Sequence, residues 1–290
     1  MKAVENENTA KIISGKEVSA KIRGDLSRRC DAFRKMTGRV PGLAVIRVGE
    51  DPASQVYVRN KLRACEEVGF HSEAHVLPEN STMEELLDEI EKLNRDPDID
   101  GLLVQLPIPR HLDEKAAIAA VADEKDVDAF HKLDAGHLTL GDGNILPCTP
   151  SGIMEMLRYY GIPVAGRECV VVGRSNIVGR PMAALLLAAD GTVTIAHSRT
   201  PDLPKVTRRA DILVSAVGKA GLITADMVKP GAVVIDVGMN RNADGKLCGD
   251  VDFDGVSKVA SYITPVPGGV GPMTVTMLLA NTMAAAEKKM

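Results

Sequence analysis

The fold is decided by one stretch of the chain, Glu168 to Thr200, with the sequence ECVVVGRSNIVGRPMAALLLAADGTVTIAHSRT. Its first apolar run, Cys169 to Val172, is rich in β-branched residues and predicts a strand buried on both faces. A turn at Gly173 follows, then a helix over Val178 to Ala189 and a second strand, TVTIAH. This order predicts the opening βαβ unit of a dinucleotide-binding domain, in which the helix N-terminus faces a pyrophosphate.

The glycines of this turn depart from the common G-x-G-x-x-G spacing. Ser175 and Val178 stand where the second and third glycines would be, and the next glycine is Gly179. A serine in the turn can still hydrogen-bond a phosphate, so the interpretation as a dinucleotide site is kept.

The residues after the second strand indicate which dinucleotide binds. NAD-selective sites usually place Asp or Glu there to hold the ribose 2′-hydroxyl. This chain has His197, Ser198 and Arg199 instead, and Arg174 follows the first glycine. Such groups suit a 2′-phosphate, because a guanidinium pairs with phosphate through two parallel hydrogen bonds. The sequence therefore predicts NADP; the alternative is that both arginines are ordinary surface charges.

Length and composition exclude several classes of protein. The chain has 290 residues, enough for two domains, and its 45% apolar and 26% charged residues are typical of globular proteins. No apolar run is long enough to span a bilayer, and the net charge of −4 argues against nucleic acid as a partner. The polar N-terminus lacks an apolar signal region, so a cytoplasmic protein with a disordered start of about ten residues is expected. The five cysteines are scattered and the histidines of FHSEAHVLP lie too far apart to chelate one ion, so no metal is predicted.

Helix and strand patterns alternate from Ser14 to Ala122 in the order α, β, α, β, α, β, α. That alternation predicts an N-terminal α/β domain with a parallel sheet and helices on both faces. Asp51-Pro52 predicts a helix start and Gly69 its end. Ser81 with Glu84 matches the spacing of a capping box at the next helix.

The pattern changes after this domain. Residues 123–150 lack periodicity and are rich in Gly and Asp, so they are interpreted as the crossing between domains. Further strands are predicted over Asp211 to Val217 and Ala232 to Val237. Each ends at a glycine, Gly218 and Gly238, where backbone can approach a ligand closely. A last helix, Met273 to about Lys288, is expected to pack on the N-terminal domain.

Polar residues near the carboxyl ends of the first domain's strands are candidates for chemistry, since ligands bind at that edge of an open sheet. Tyr57 and Lys61 are spaced i, i+4 and share one helix face. Gln105 lies at an apolar strand end, where an amide needs a partner. Asp126 and Asp128 follow in EKDVD. The alternatives are a solvated lysine beside a half-buried tyrosine, and a solvated acidic loop.

Four segments, supported by the two short ones KDVD and LPCTPSG, resemble one family, the bifunctional methylenetetrahydrofolate dehydrogenase and methenyltetrahydrofolate cyclohydrolase. The resemblance extends from about Lys11 to the C-terminus. The segments are DPASQVYVRNK (51–61), DGLLVQLPIP (100–109), KDVD (125–128), LPCTPSG (146–152), VVVGRSNIVGRP (170–181) and PVPGGVGPMT (265–274). One departure is Ala129, where the family usually has Gly after KDVD.

The resemblance implies an N-terminal folate and catalytic domain of residues 11–148 with 275–290, a Rossmann-type NADP-binding domain of residues 149–274, and a deep cleft between them. It implies oxidation of 5,10-methylenetetrahydrofolate to 5,10-methenyltetrahydrofolate, followed by hydrolysis to 10-formyltetrahydrofolate in one-carbon metabolism. Tetrahydrofolate derivatives are the implied partners, and a homodimer is the implied assembly.

The same resemblance implies a role for each matching residue. Lys61 would be the catalytic lysine, with Tyr57 beside it on the pterin, Gln105 supporting the lysine and Asp128 holding the pterin amino groups. The other residues implied to line the folate cleft are Ser54, Val104, Leu106 and Pro272. The residues implied to contact NADP are Thr149, Gly173, Arg174, Ser175, Ile177, Ser198 and Thr274.

Two other functions are considered from the residues. A two-domain NADP dehydrogenase of a small hydroxy or amino acid would leave KDVD and PVPGGVGPMT unexplained. A non-catalytic dinucleotide sensor would give no reason for a tyrosine, a lysine, an amide and an aspartate to converge.

Overall fold

The structure, a computed structural model, describes residues 9–143, 145–242 and 244–290. The chain divides into two compact units. The first unit contains Ala20–Cys148 and Val275–Met290, and the second contains Thr149–Thr274 with the described residues up to Ser19. The predicted disordered start lies almost entirely outside the described residues. None of the helices formed by the described residues has the length and apolar character needed to cross a membrane.

The described residues form helices and strands in the predicted alternation. The strands are β1 (Lys11–Ile12), β2 (Gly42–Val48), β3 (His71–Leu77), β4 (Gly101–Val104), β5 (Glu168–Val172), β6 (Thr192–Ala196), β7 (Ile212–Ser215), β8 (Val233–Asp236), β9 (Asn240–Arg241), β10 (Leu247–Cys248) and β11 (Tyr262–Ile263). The helices are α1 (Gly15–Thr37), α2 (Pro52–Val68), α3 (Met83–Arg95), α4 (Glu114–Ala120), α5 (Lys132–Leu140), α6 (Cys148–Tyr159), α7 (Gly179–Ala188), α8 (Leu203–Thr207), α9 (Phe253–Val256) and α10 (Val270–Lys288).

The first unit is built on a parallel three-stranded sheet in the order β3-β2-β4. Helix α2 follows β2 and has the predicted ends. The Asp51 carboxylate accepts a hydrogen bond from Ser54 N over 2.7 Å, Pro52 is the first helical residue, and Gly69 ends the helix at φ 86°. These signals fix where α2 begins, close to the carboxyl end of β2.

One prediction in this unit is wrong, and one helix is not predicted. The capping box of α3 is formed by Thr82 and Glu85, one residue later than the predicted pair. Ser81 is instead buried, with its carbonyl oxygen 2.9 Å from His111 Nε2. The chain does pass from one unit to the other within the predicted crossing, between Cys148 and Thr149, but the same region also contains α5, which the sequence does not predict.

The last helix packs on the first unit, as predicted. From Val275 onward α10 belongs to this unit, and its Leu278 and Met283 are fully buried in one core with Leu26 and Phe33 of α1. The C-terminal segment of the chain therefore completes the hydrophobic core of the first unit.

The second unit is built on a six-stranded parallel sheet in the order β1-β11-β8-β7-β5-β6. Strand β5 lies between β6 and β7, so the winding of the sheet reverses beside it. In open α/β sheets the carboxyl edge at such a reversal is where ligands bind. The glycine turn that follows β5 is therefore at the place expected for a dinucleotide.

Residues 11–19 differ from the sequence prediction, which placed them in the N-terminal domain. In the structure they group with the second unit. Strand β1 pairs in parallel with β11, and Ile13 N donates to Ile263 O over 2.8 Å. A strand of two residues has no period of its own, so only its distant partner defines it.

Candidate catalytic and dinucleotide-binding sites

A buried lysine and an amide form the centre of the candidate site in the first unit. Lys61 lies on α2 and is only 9% exposed, and its Nζ donates to Gln105 Oε1 over 3.1 Å. Gln105 is held in turn, because its backbone N donates to Ile46 O (2.8 Å) and its Nε2 donates to Leu106 O (2.7 Å). A buried ammonium needs such an acceptor. The structure thus brings together the two residues that the sequence predicted to act together.

Helix α2 also carries the other predicted residues of this site. Ser54, Tyr57 and Lys61 recur at three- and four-residue spacing, which puts them on one helix face. Ser54 is buried and Tyr57 is 41% exposed. Val104, buried, and Leu106, half-buried, flank Gln105 at the carboxyl end of β4.

The loop that carries Asp128 is held by contacts to the residue before it. Val127 O accepts from Asn281 Nδ2 over 2.8 Å and from Cys148 Sγ over 3.3 Å. Asp128 is half-buried, and its Oδ1 lies 3.8 Å from the same sulfur. Asn281 is not among the residues predicted from the sequence, although a polar amide in the apolar run of α10 is the same kind of signal as Gln105.

Asp126 anchors this loop rather than facing solvent. It is 4% exposed, and its Oδ2 accepts hydrogen bonds from the backbone N of Phe130 and of His131, both at 2.7 Å. Burial, with the neighbouring Asp126 carboxylate second, raises the pKa of Asp134 on α5 to about 7. The alternative of a solvated acidic loop therefore does not hold for Asp126.

Ala129 takes a backbone conformation that favours glycine. Its φ is 57°, in the left-handed region where a Cβ is costly. The chain therefore makes a glycine-type turn after KDVD even though the residue is alanine.

The glycine turn of the second unit has no room for side chains at its two glycines. Gly173 has φ 126°, and a Cβ built on it would collide with Ala216 O. A Cβ on Gly179 would collide with Gly173 O, where the first turn of α7 packs against the loop. This close packing of loop and helix N-terminus is what a pyrophosphate-binding turn requires.

Ser175 explains the departure from the usual glycine spacing. Its Oγ accepts hydrogen bonds from the backbone N of Val178 (3.2 Å) and of Gly179 (3.3 Å). The hydroxyl thus takes the place of a helix cap at the start of α7. The remaining residues predicted to contact a dinucleotide here are exposed; they are Arg174, Ile177 and Ser198.

The other predicted contacts of the second unit lie near its ends. Thr149 Oγ1 and Thr274 Oγ1 are 2.8 Å apart and share a hydrogen bond, so the structure brings them together. Pro272 is half-buried in the first turn of α10. After β6 the chain continues with His197, Ser198 and Arg199, so no carboxylate stands where a free ribose 2′-hydroxyl would need one.

The described residues contain no group of three or more His, Cys, Asp or Glu side chains that could hold a metal ion. His71 and His75 contact the carboxylate of Glu73 at 2.8 and 2.9 Å instead.

The fold and these sites define a class of two-unit α/β enzymes. One unit carries a buried lysine–amide pair at the carboxyl edge of a parallel sheet, and the other carries a dinucleotide-binding turn. The family model for the catalytic domain of tetrahydrofolate dehydrogenase/cyclohydrolase matches residues 13–128. The model for the NAD(P)-binding domain of the same family matches residues 147–290.

Known proteins resemble the chain along almost its whole length. The bifunctional protein FolD of Burkholderia thailandensis is 59% identical over 280 residues, covering 97% of this chain and 98% of the relative. The crystal structure of the FolD enzyme of Campylobacter jejuni matches with a TM-score of 0.95 at 48% identity, covering 97% and 100% of the two chains. The Trypanosoma brucei enzyme, solved with NADP cofactor and inhibitor, matches with a TM-score of 0.92 at 41% identity, covering 97% and 98%. The chain belongs to the tetrahydrofolate dehydrogenase/cyclohydrolase family, as the sequence predicted.

Proposed function

We propose that this protein oxidises 5,10-methylenetetrahydrofolate to 5,10-methenyltetrahydrofolate with NADP and hydrolyses that product to 10-formyltetrahydrofolate. The observation that carries the proposal is the Lys61–Gln105 contact of 3.1 Å at the carboxyl edge of the first unit's sheet. The relatives named as bifunctional FolD proteins support both activities.

The second unit fits NADP. Gly173 and Gly179 carry no side chains that could keep a pyrophosphate away from the backbone of the turn. No carboxylate follows β6, where an NAD-selective site would need one. The T. brucei relative contains NADP. When bound, NADP supplies an acceptor for the hydride that leaves the methylene carbon. The residues that would hold it are Thr149, Gly173, Arg174, Ser175, Ile177, Ser198 and Thr274.

The oxidation step requires orientation more than acid–base chemistry. The nitrogens beside the methylene carbon stabilise the cation that forms, so no side chain has to take up a proton. Tyr57 and Asp128 serve this step by binding the pterin, the aspartate through the amino groups of the ring. The Asp128 loop is held in place by two sets of hydrogen bonds: Asn281 donates to Val127 O, and two backbone N–H groups donate to the Asp126 carboxylate. The other residues of the first unit proposed to contact the pterin are Ser54, Val104 and Leu106.

The hydrolysis step requires proton transfer, because water adds to the methenyl carbon and the ring then opens. We assign this role to Lys61, as a base or as a hydrogen-bond donor, because it is the buried lysine at the carboxyl edge of the sheet. Gln105 positions it: the amide oxygen accepts from Lys61 Nζ while the amide nitrogen is engaged by Leu106 O. Lys61 therefore serves mainly the second step.

The two activities can be tested together. Purified protein is mixed with methylenetetrahydrofolate and NADP, and the absorbances of NADPH and of the methenyl product are followed at once. The proposal predicts NADPH with little accumulation of methenyl product. Accumulating methenyl product would reduce the proposal to a dehydrogenase alone, and no reduction of NADP or NAD would contradict it entirely.

We also propose a homodimer formed through the edge of the first unit's sheet. In the described residues β3 pairs with β2 on one side only, and Val76 near its end is 50% exposed. An unpaired edge strand favours association with a second copy. Light scattering should give twice the monomer mass of 30.9 kDa, and Val76→Glu should lower it while Leu140→Glu, at another exposed apolar residue, should not. A wild-type monomer would contradict the dimer, and a dimeric Val76→Glu would move its interface away from β3.

A further inference from the structure

A buried carboxylate lies beneath the turn that follows β7, and no role proposed above uses it. Asp250 is 0% exposed, and its two carboxylate oxygens together accept five hydrogen bonds. The donors to Oδ2 are Val217 N (2.8 Å), Gly218 N (3.2 Å) and Ser215 Oγ (3.3 Å); those to Oδ1 are Lys219 N (2.9 Å) and Asn240 Nδ2 (2.9 Å). Three consecutive backbone amides of the turn thus point at one side chain. A carboxylate can accept this many bonds, and hydrogen bonds to an ionised acceptor are strong.

The turn that Asp250 holds, residues 215–219, packs directly against the dinucleotide-binding turn at Gly173. Ala216 N donates to Val172 O over 2.8 Å at the end of β5. Ala216 O is also the atom that a Cβ on Gly173 would meet, so the two turns are in direct contact. Because Asp250 fixes the residues on both sides of Ala216, a shift of its carboxylate would move Ala216 relative to Gly173.

The backbone at Asp250 is itself held by a second buried carboxylate, that of Asp236. Asp236, the last residue of β8, accepts hydrogen bonds from Asp250 N (2.9 Å) and Val251 N (3.0 Å). Burial raises the pKa of Asp236 to about 6. Gly238 and Gly249 leave space for the two carboxylates, since a Cβ on Gly238 would collide with Asp250 and one on Gly249 with Asp236. Glycines at these positions permit two acids to be buried side by side.

We infer that Asp250 is a positioning residue for the cofactor: it holds residues 215–219 in the shape that NADP binding to the adjacent glycine turn requires. Every donor to its carboxylate lies at the carboxyl edge of the sheet, the edge at which dinucleotides bind. The inference rests on the proposed function, because it assigns Asp250 to the NADP step alone. The hydrolysis step uses no dinucleotide, so it provides an internal reference.

The test is Asp250→Asn, assayed for NADP-dependent oxidation and, without NADP, for hydrolysis of methenyltetrahydrofolate. An amide presents one acceptor oxygen and turns an NH₂ group toward donors, so part of the turn loses its anchor. The KM for NADP should rise about tenfold or more, with the hydrolysis rate within about twofold of wild type. The matched control is Asp211→Asn at the opposite end of β7, whose carboxylate accepts from Glu168 N (3.0 Å) and Lys229 Nζ (2.7 Å). This control should leave the KM for NADP unchanged.

An unchanged KM for NADP in Asp250→Asn would overturn the inference, and so would an equal loss of both activities, which would indicate a purely structural role. If this variant does not fold, Asn240→Leu and Ser215→Ala each remove one donor and keep the carboxylate. Either should raise the KM for NADP severalfold, and no change in both would also overturn the inference. A wild-type protein that does not reduce NADP would refute the proposed function instead, so the two failures are distinguishable.

Discussion

Lys61→Met should separate the two activities. The substitution keeps most of the buried side-chain volume and removes the ammonium that donates to Gln105 over 3.1 Å. Loss of general acid–base assistance costs about 10²- to 10⁴-fold in rate, which is about 3–5 kcal/mol of transition-state stabilisation. We expect hydrolysis of methenyltetrahydrofolate to fall by that factor and oxidation of methylenetetrahydrofolate to fall by about tenfold at most, because it depends on orientation.

The assay measures each reaction separately on the same preparation, with a thermal melt to confirm folding. Lys92→Met, at a lysine whose side chain is 70% exposed on α3, is the matched control and should change neither rate. A double-mutant cycle with Gln105→Leu tests the positioning role: if Gln105 acts through Lys61, the double variant should be no slower in hydrolysis than Lys61→Met alone. A Lys61→Met protein with full hydrolysis activity would refute the reasoning, and additive losses would refute the assigned link between the two residues.

Three further predictions concern stability and the dinucleotide turn. Burial opposes ionisation of Asp100, but hydrogen bonds from Arg39, Gly42 and Lys289 outweigh it and lower the pKa of that carboxyl. Its stabilisation should therefore be fully present above its ordinary pKa of 3.8 and be lost as the pH falls through the lowered pKa of the folded state, so Arg39→Met should cost about 2–4 kcal/mol at pH 7 in urea unfolding and progressively less as the pH falls below 3.8. Because the pKa of Asp134 is raised from 3.8 to about 7, the folded state loses stability as the pH rises through that range; Asp134→Asn should raise the melting temperature more at pH 8 than at pH 5 in calorimetry, and an equal rise at both would contradict this. Gly179→Ala should weaken NADP binding at least about tenfold in titration calorimetry while hydrolysis continues, because its Cβ would push against Gly173 O; unchanged affinity would contradict the assigned turn.

Local signals account for what the sequence predicts well. Helix α2 is confirmed at both ends because its cap, its first proline and its terminal glycine are all within the helix or next to it. Gln105 could be predicted as functional because an amide at the end of an apolar strand requires a partner. Its partner, Lys61, was predictable only together with the family resemblance, since a tyrosine and a lysine four residues apart on a helix are common.

Tertiary contacts decide the rest. Two pairs in the sequence, Ser81 with Glu84 and Thr82 with Glu85, have the spacing of a capping box. Burial of Ser81 near His111 leaves Thr82 as the cap, and no local rule could select between them. Helix α5 is not predicted for a different reason: its leucines, at 133, 138 and 140, are five and two residues apart, which is not the spacing of an apolar helix face.

The glycines after β7 and β8 show how a correct local observation can lead to an incomplete explanation. Gly218 and Gly238 were predicted to let the backbone approach a ligand. In the structure the N–H of Gly218 is directed at the carboxylate of Asp250, and the bare Cα of Gly238 makes room for that same carboxylate. The close approach is real, but the group approached is an acid of the protein itself, 32 residues beyond Gly218 in the chain. A buried anion can organise a turn through several backbone amides at once, and the acid then looks in the sequence like any polar loop residue. A glycine at a strand end therefore reflects either crowding, as at Gly238, or a positive φ, as at Gly218, and only the folded chain distinguishes the two causes.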